Sequence, residues 1–244
     1  RRALEGEGFE LAFQPIVAVA GGEESQYQAL LRLRDENGEL HPAGRIIPLA
    51  ERADLIVDID RWVIQTALKA ITRREQDGRR IRLFVTQAGT SLASTGQADW
   101  LREVMAQAPV GHGSLVVDIR LDDALMNAEV VRRFCESVSG SGVQFCLSQF
   151  HIGTDGASLM EALPLSYVKL APKYLAAGVT QAMRDELKVL IDQAHRRNVQ
   201  VIGHRVEDAQ AAATLWMSGI DFIQGNLVQQ VGSELDFDFQ SAVL

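Results

Sequence analysis

Tyr27-Gln28-Ala29-Leu30-Leu31-Arg32-Leu33-Arg34 is the stretch on which the fold turns. Side chains alternate across a strand, so Gln28, Leu30, Arg32 and Arg34 share one face, and Tyr27, Ala29, Leu31 and Leu33 share the other. The second face is apolar and suits packing beneath helices. The first makes polar contacts inside an enclosed structure or at a watery mouth. An arginine merely reaching solvent fits the pattern equally well.

Strand and helix patterns alternate outward from this stretch. Residues 9–19 form an apolar strand-like run in which Pro15 predicts an edge or a bulge. Helical patterns cover 43–52 and 58–76; in the latter Trp62, Ile64, Ala67, Leu68 and Ile71 make one apolar face before Asp77-Gly78 stops it. Strands are predicted at 81–86, 115–119, 143–147, 167–170, 199–203 and 222–224, and helices at 97–107, 129–138, 180–197 and 206–218. About eight strands with helices between them indicate a mostly parallel sheet. In 244 residues this favours a closed α/β barrel of the (β/α)8 type over an open doubly wound sheet. No glycine-rich phosphate loop follows the first strand, which weakens the open alternative further. In such barrels the ligand site lies at the C-terminal strand ends.

With 47% hydrophobic and 23% charged residues, the composition is that of a globular domain. A formal charge of −8 argues against binding long nucleic acid, but not against a small anion held by a few local cations. Cys135 and Cys146 sit in apolar surroundings and read as buried free thiols. No apolar run reaches the roughly 18 residues of a membrane span, and no signal peptide is present, so a cytoplasmic location is expected. No linker divides the chain, so residues 1–244 read as one domain. The start at Arg1, without Met, reads as the C-terminal part of a longer protein.

The order of motifs resembles the EAL domain, the cyclic-di-GMP phosphodiesterase family. Phe13-Gln14-Pro15-Ile16 resembles its opening strand, Gln28-Ala29-Leu30-Leu31-Arg32 the signature that names the family, and Ile47-Pro48-Leu49-Ala50-Glu51 the next segment. The match continues through Lys169, Val206-Glu207 and Gln224-Gly225. Working members are two-metal enzymes whose ions lower the pKa of a water and neutralise phosphate charge. This sequence departs from that pattern. Gln28 replaces the signature Glu, and Thr86 aligns with a metal-binding Asn. Asp118 aligns with a Glu, Ser148 and Gln149 with a pair of Asp, and His204 with a later Glu. Only Asp118 keeps a carboxylate among the aligned acidic positions. The resemblance therefore implies a degenerate domain with no metal and no catalysis; one His and one Asp are also a poor transition-metal site.

What the resemblance leaves is a cyclic-di-GMP receptor, with Gln14, Gln28, Ala29, Leu30, Arg32, Pro48, His204, Arg205 and Gln224 as the expected binding set. Arg32 is the expected phosphate contact, since its planar fork gives charge-assisted bonds. Among degenerate members the chain most resembles the C-terminal domain of FimX-type regulators of type IV pili. That implies a PilZ-type adaptor as partner and a role in twitching motility. A pure interaction module and a residual phosphodiesterase are the competing readings. Trp62 and Trp216 read as core by periodicity; His41, His112 and His195 read as surface residues. Arg73, Arg74, Arg79 and Arg80 read as a solvated cluster, and the Asp-rich C-terminus as a docking tail or a soluble end.

Overall fold

The computed structural model describes residues 4, 6, 8–22, 24–175 and 179–242. Its strands are β1 (Phe9–Ala18), β2 (Gln26–Arg34), β3 (Leu40–Pro42), β4 (Arg82–Gln87), β5 (Leu115–Arg120), β6 (Gln144–Phe150), β7 (Tyr167–Leu170), β8 (Gln200–Gly203) and β9 (Phe222–Gln224). All but β3 close into a barrel in the order β1-β2-β4-β5-β6-β7-β8-β9, with β9 returning to β1. Within the barrel the ladders from β2 on through β4 to β9 are parallel, whereas β1 is antiparallel to both neighbours and the short β3 pairs antiparallel with β2 outside it. This departs from eight repeated strand–helix units, because the first connection is a hairpin. Pro15 is accommodated without a bulge: it faces Tyr27 of β2, while the β9 ladder begins only at Ile16.

The helices are α1 (Ala43–Arg52), α2 (Ile56–Gln76), α3 (Gly89–Leu92), α4 (Gln97–Gln107), α5 (Leu121–Met126), α6 (Ala128–Val138), α7 (Thr154–Ala162), α8 (Gln181–His195) and α9 (Ala209–Met217). In α2 Ile56, Ile59, Val63, Ile64, Ala67, Leu68 and Ile71 are buried, a three- and four-residue spacing that keeps one stripe on the sheet. Thr180 and Asp208 start α8 and α9 by accepting the amides of Met183 (3.3 Å) and Ala211 (2.8 Å). The Val206-Glu207 pair consequently lies ahead of its helix. Trp216 is 60% exposed, contrary to the expectation that it is core. Nearly every position of α9 is apolar, so periodicity could not choose its buried face. Trp62 is half-buried and packs its ring 5.5 Å from Phe9.

A hairpin in place of a crossover helix leaves the outer face of β1 and β2 without its usual cover. The C-terminal segment supplies part of it. Gly232 bridges Phe13, the Phe237 amide donates to the Tyr27 hydroxyl (3.2 Å), and the Phe239 ring stands edge-on to Tyr27 at 5.2 Å. Arg74 donates to the Leu235 carbonyl, so this member of the basic cluster is structural rather than merely solvated. The closing Asp-Phe-Asp-Phe stretch is thus folded back on the barrel.

Inside the barrel, inward positions alternate by two along each strand and form layers. On β4 they run Arg82, Phe84, Thr86; on β6, Gln144, Cys146, Ser148. The middle layer is apolar: Ile16, Phe84, Val116, Cys146, Tyr167, Ile202 and Phe222 form a buried cluster separate from the main core. It divides the interior into a polar chamber at the C-terminal strand ends and another at the N-terminal ends.

Candidate functional site

Gln28, Asp118, Ser148, Lys169, Gln14 and Gln224 line the C-terminal chamber, and all are buried. Lys169, on β7, stands at the centre. Its ammonium donates to Asp118 Oδ2 (3.1 Å) and to Gln28 Oε1, and lies 4.8 Å from the ring centroid of Phe84 in the apolar layer below. The Gln28 amide completes the clamp. Its Nε2 donates to the carbonyls of Phe84 and Ala29, both at 3.1 Å, and to Thr86 Oγ1 at 3.4 Å. An amide fits here because it offers the lysine an acceptor and the backbone a donor at once. Asp118 Oδ1 is buried with no partner.

A second chain of contacts closes the chamber where β1 meets β9. Gln224 Nε2 donates to Gln14 Oε1 (2.9 Å), and Gln14 Nε2 donates to the Gln229 carbonyl (3.1 Å) and to Asn226 Oδ1 (3.3 Å). Asn226 and Gln229 were not singled out from sequence; their position just after Gln224-Gly225 was the available signal. Gly225 lets two mouth loops stack. A Cβ there would lie 2.1 Å from the Val206 carbonyl oxygen, and the Val206 amide bonds the Gln224 carbonyl at 3.0 Å.

His204 and Arg205 follow β8 at the same end. Burial, with the neighbouring Lys169 and Arg205 cations, pulls the His204 imidazole down to about 4, so the ring is neutral at neutral pH. Its Nδ1 is buried without a partner. Arg205 is exposed and takes a left-handed backbone, φ 60°. That conformation is uncommon for a residue with a Cβ and clusters at binding sites. Gln149 shares it, φ 59°, where the β6–β7 register shifts.

The remaining expected residues are placed as follows. Leu30 and Arg32 are half-buried on the inward face of β2. Arg32 donates to the Leu31 carbonyl (3.1 Å), and burial lowers its guanidinium pKa. The side chain of Ala29 packs in the outer core, and only its carbonyl reaches Gln28. Pro48 sits exposed within α1, where its carbonyl accepts Arg52 Nε (3.1 Å). Its neighbour Leu49 lines an apolar groove with Phe9 and Leu33 on the outer wall. The described geometry therefore joins Gln14, Gln28 and Gln224 in two hydrogen-bonded groups and puts His204 beside Lys169. It does not draw Pro48 into either group.

A family model described as the EAL domain matches residues 1–230. The chain belongs to the EAL family. The solved FimX EAL domain from Pseudomonas aeruginosa bound to c-di-GMP superposes with a TM-score of 0.90 at 28% identity, over 98% of this chain and 96% of that one. The FimX EAL domain of Xanthomonas citri in complex with c-diGMP gives 0.91 at 26% identity, over 98% and 94%. In sequence, the 76.5 kDa protein in the phbC 3′ region of Thiocystis violacea is 29% identical over 98% of this chain and 34% of its own length. The cyclic di-GMP phosphodiesterase NbdA of Pseudomonas aeruginosa is 27% identical over 93% and 29%. This EAL domain thus spans about a third of the curated relatives it matches. Among the described residues, no helix is long and apolar enough to cross a membrane.

Proposed function

We propose that this EAL domain binds cyclic-di-GMP without cleaving it and passes the signal on by protein contact. One observation carries the reading: Gln28, in place of the signature Glu, meets Lys169 with a neutral amide oxygen, and Asp118 is the one carboxylate on that buried cation. Two divalent ions would bring about four positive charges to a chamber whose aligned acidic positions retain one carboxylate, already paired. Desolvated charge without a counter-charge costs several kcal/mol. The residues present do not suit a two-metal centre, and no metal is assigned to the site.

Ligand recognition needs no metal if fixed cations meet the phosphates. Arg32 and Arg205 supply guanidinium groups at the mouth, and Lys169 a third charge beneath them. The neutral His204 ring at the same mouth suits a hydrogen bond with a guanine base. Similarity to FimX EAL domains solved with this dinucleotide supports the ligand. By the same similarity, a PilZ-type adaptor and type IV pilus control are the proposed partner and pathway for the longer protein.

Calorimetry tests the reading. One dinucleotide per chain is expected, with equal affinity in chelator and in Mg²⁺ or Mn²⁺, and no linear product. Arg32→Ala is expected to weaken binding about ten- to a hundredfold, the ~1.5–3 kcal/mol of a hydrogen bond to a charged group. No heat at about 100 μM ligand would leave a pure interaction module. Metal-dependent turnover that Asp118→Asn abolishes would restore the phosphodiesterase.

A further inference from the structure

The N-terminal ends of the strands hold a second cavity, of about 380 Å³, lined by Glu24, Gln26, Arg80, Arg82, His112 and Ser114 among others. The apolar layer containing Phe84, Val116 and Tyr167 separates it from the mouth. Its charges are unevenly matched. Arg82 is committed: Nε donates to the Gly113 carbonyl (2.8 Å), Nη1 pairs with Glu24 (3.2 Å), and the guanidinium lies 5.6 Å from the Tyr167 ring centroid. Glu24 is thereby offset. The Ser114 hydroxyl is held by Glu75 at 3.1 Å. Arg80 and His112, both exposed at the rim, have no ion-pair or hydrogen-bond partner among the described residues.

Gln26 points to what such a site would take. It is fully buried, and its Nε2 donates to Glu24 (2.9 Å) while its Oε1 has no partner. A buried carbonyl oxygen left unpaired costs about 1–3 kcal/mol unless something donates to it. The cavity therefore presents an unpaired guanidinium and an unpaired imidazole at its rim and an unpaired acceptor in its wall, within the size range of small-molecule pockets.

We propose that this basal cavity binds a small phosphate ester carrying a free hydroxyl. Arg80 and His112 face the phosphate, and the hydroxyl donates to Gln26 Oε1. The site is independent of the dinucleotide mouth, and its occupancy does not rest on the function proposed above.

The test is an amide chemical-shift titration of the whole chain with three probes: ribose 5-phosphate, inorganic phosphate and ribose. Ribose 5-phosphate is expected to shift the amides of Gln26, Arg82 and Gly113 saturably, leaving Lys169 and Gln224 unmoved. Inorganic phosphate should bind the same residues more weakly, and ribose more weakly still. Arg80→Ala, at an exposed position, should weaken the ester about tenfold. Gln26→Met should weaken the ester while leaving inorganic phosphate unchanged. The proposal is overturned by the absence of basal shifts at about 10 mM ester. It is overturned equally by unchanged affinity in Arg80→Ala, or by inorganic phosphate binding as tightly as the ester.

Discussion

Asp118→Ala is expected to destabilise the domain by about 3–5 kcal/mol, the range for stranding one member of a buried ion pair. Lys169 and Asp118 have side chains only 3% and 4% exposed, so water cannot replace the lost partner. The Gln28 carbonyl oxygen and the Phe84 ring would remain beside the ammonium, but neither carries a charge. Removing both ions is different. Asp118→Leu with Lys169→Met deletes two desolvation penalties together with the attraction, and such replacements are commonly neutral or stabilising. Urea unfolding by linear extrapolation should therefore show a large loss in the single variant and near recovery in the double one. A single variant within about 0.5 kcal/mol of the parent would show that Asp118 does not hold this lysine in place. The double variant also separates stability from recognition, since a folded mouth without Lys169 should bind the dinucleotide less tightly.

Much of the barrel was legible because its strands carry their own punctuation. Residues 97–107, 167–170 and 222–224 lie as read, each between turn residues or a clear change of period. What escaped has physical reasons. The antiparallel β1 follows from a short hairpin whose strands look the same whichever way they run. α5 and α7 were missed because a six-residue helix shows under two turns of periodicity and α7 begins in a glycine-containing polar stretch. Alternation along β2 did place Gln28, Leu30 and Arg32 on the inward side. It could not show that Gln28 grips Lys169, because that contact joins positions 141 residues apart. The same limit hid Asn226 and Gln229, whose roles exist only through Gln14 on the far strand.

Polar residues also cluster in a third place, away from both chambers. Asp60, Gln87, Ser91 and Gln97 are all buried where α2 meets the end of β4 and the starts of α3 and α4. Asp60 Oδ2 accepts the Ala88 amide at 2.8 Å, tying α2 to the β4–α3 turn. Gln87 Oε1 and Gln97 Nε2 remain unpartnered. The neighbouring Arg61 does not pair with Asp60: it donates to Gln97 Oε1 at 2.8 Å, and among the described residues the acid has no ion pair.

That isolation predicts a pH dependence of stability. Burial pushes the Asp60 carboxyl up to about 6, against the opposing pull of the Ala88 hydrogen bond and the nearby Ser91 hydroxyl; the charges of Glu51 and Asp123 add to the rise. The folded state therefore holds this proton more tightly than the unfolded chain, whose carboxyl titrates near 3.8. The associated stability is fully present below the unfolded value and is lost as pH rises through about 6, amounting to roughly 3 kcal/mol for a shift of about two units. His204 acts in the opposite sense. Its folded value of about 4 lies below the ordinary 6.5, so its contribution is present at neutral pH and lost on acidification through about 4. The two slopes oppose each other over much of the same range, and the parent protein alone would conceal both. Asp60→Asn exposes them, because an amide keeps an acceptor for Ala88 and carries no charge to desolvate. The variant is expected to match the parent near pH 4 and to exceed it by up to about 3 kcal/mol near pH 7. Groups other than residue 60 cancel in that difference. Parallel stability curves across the range would mean that the carboxyl titrates normally and that the buried cluster reaches solvent.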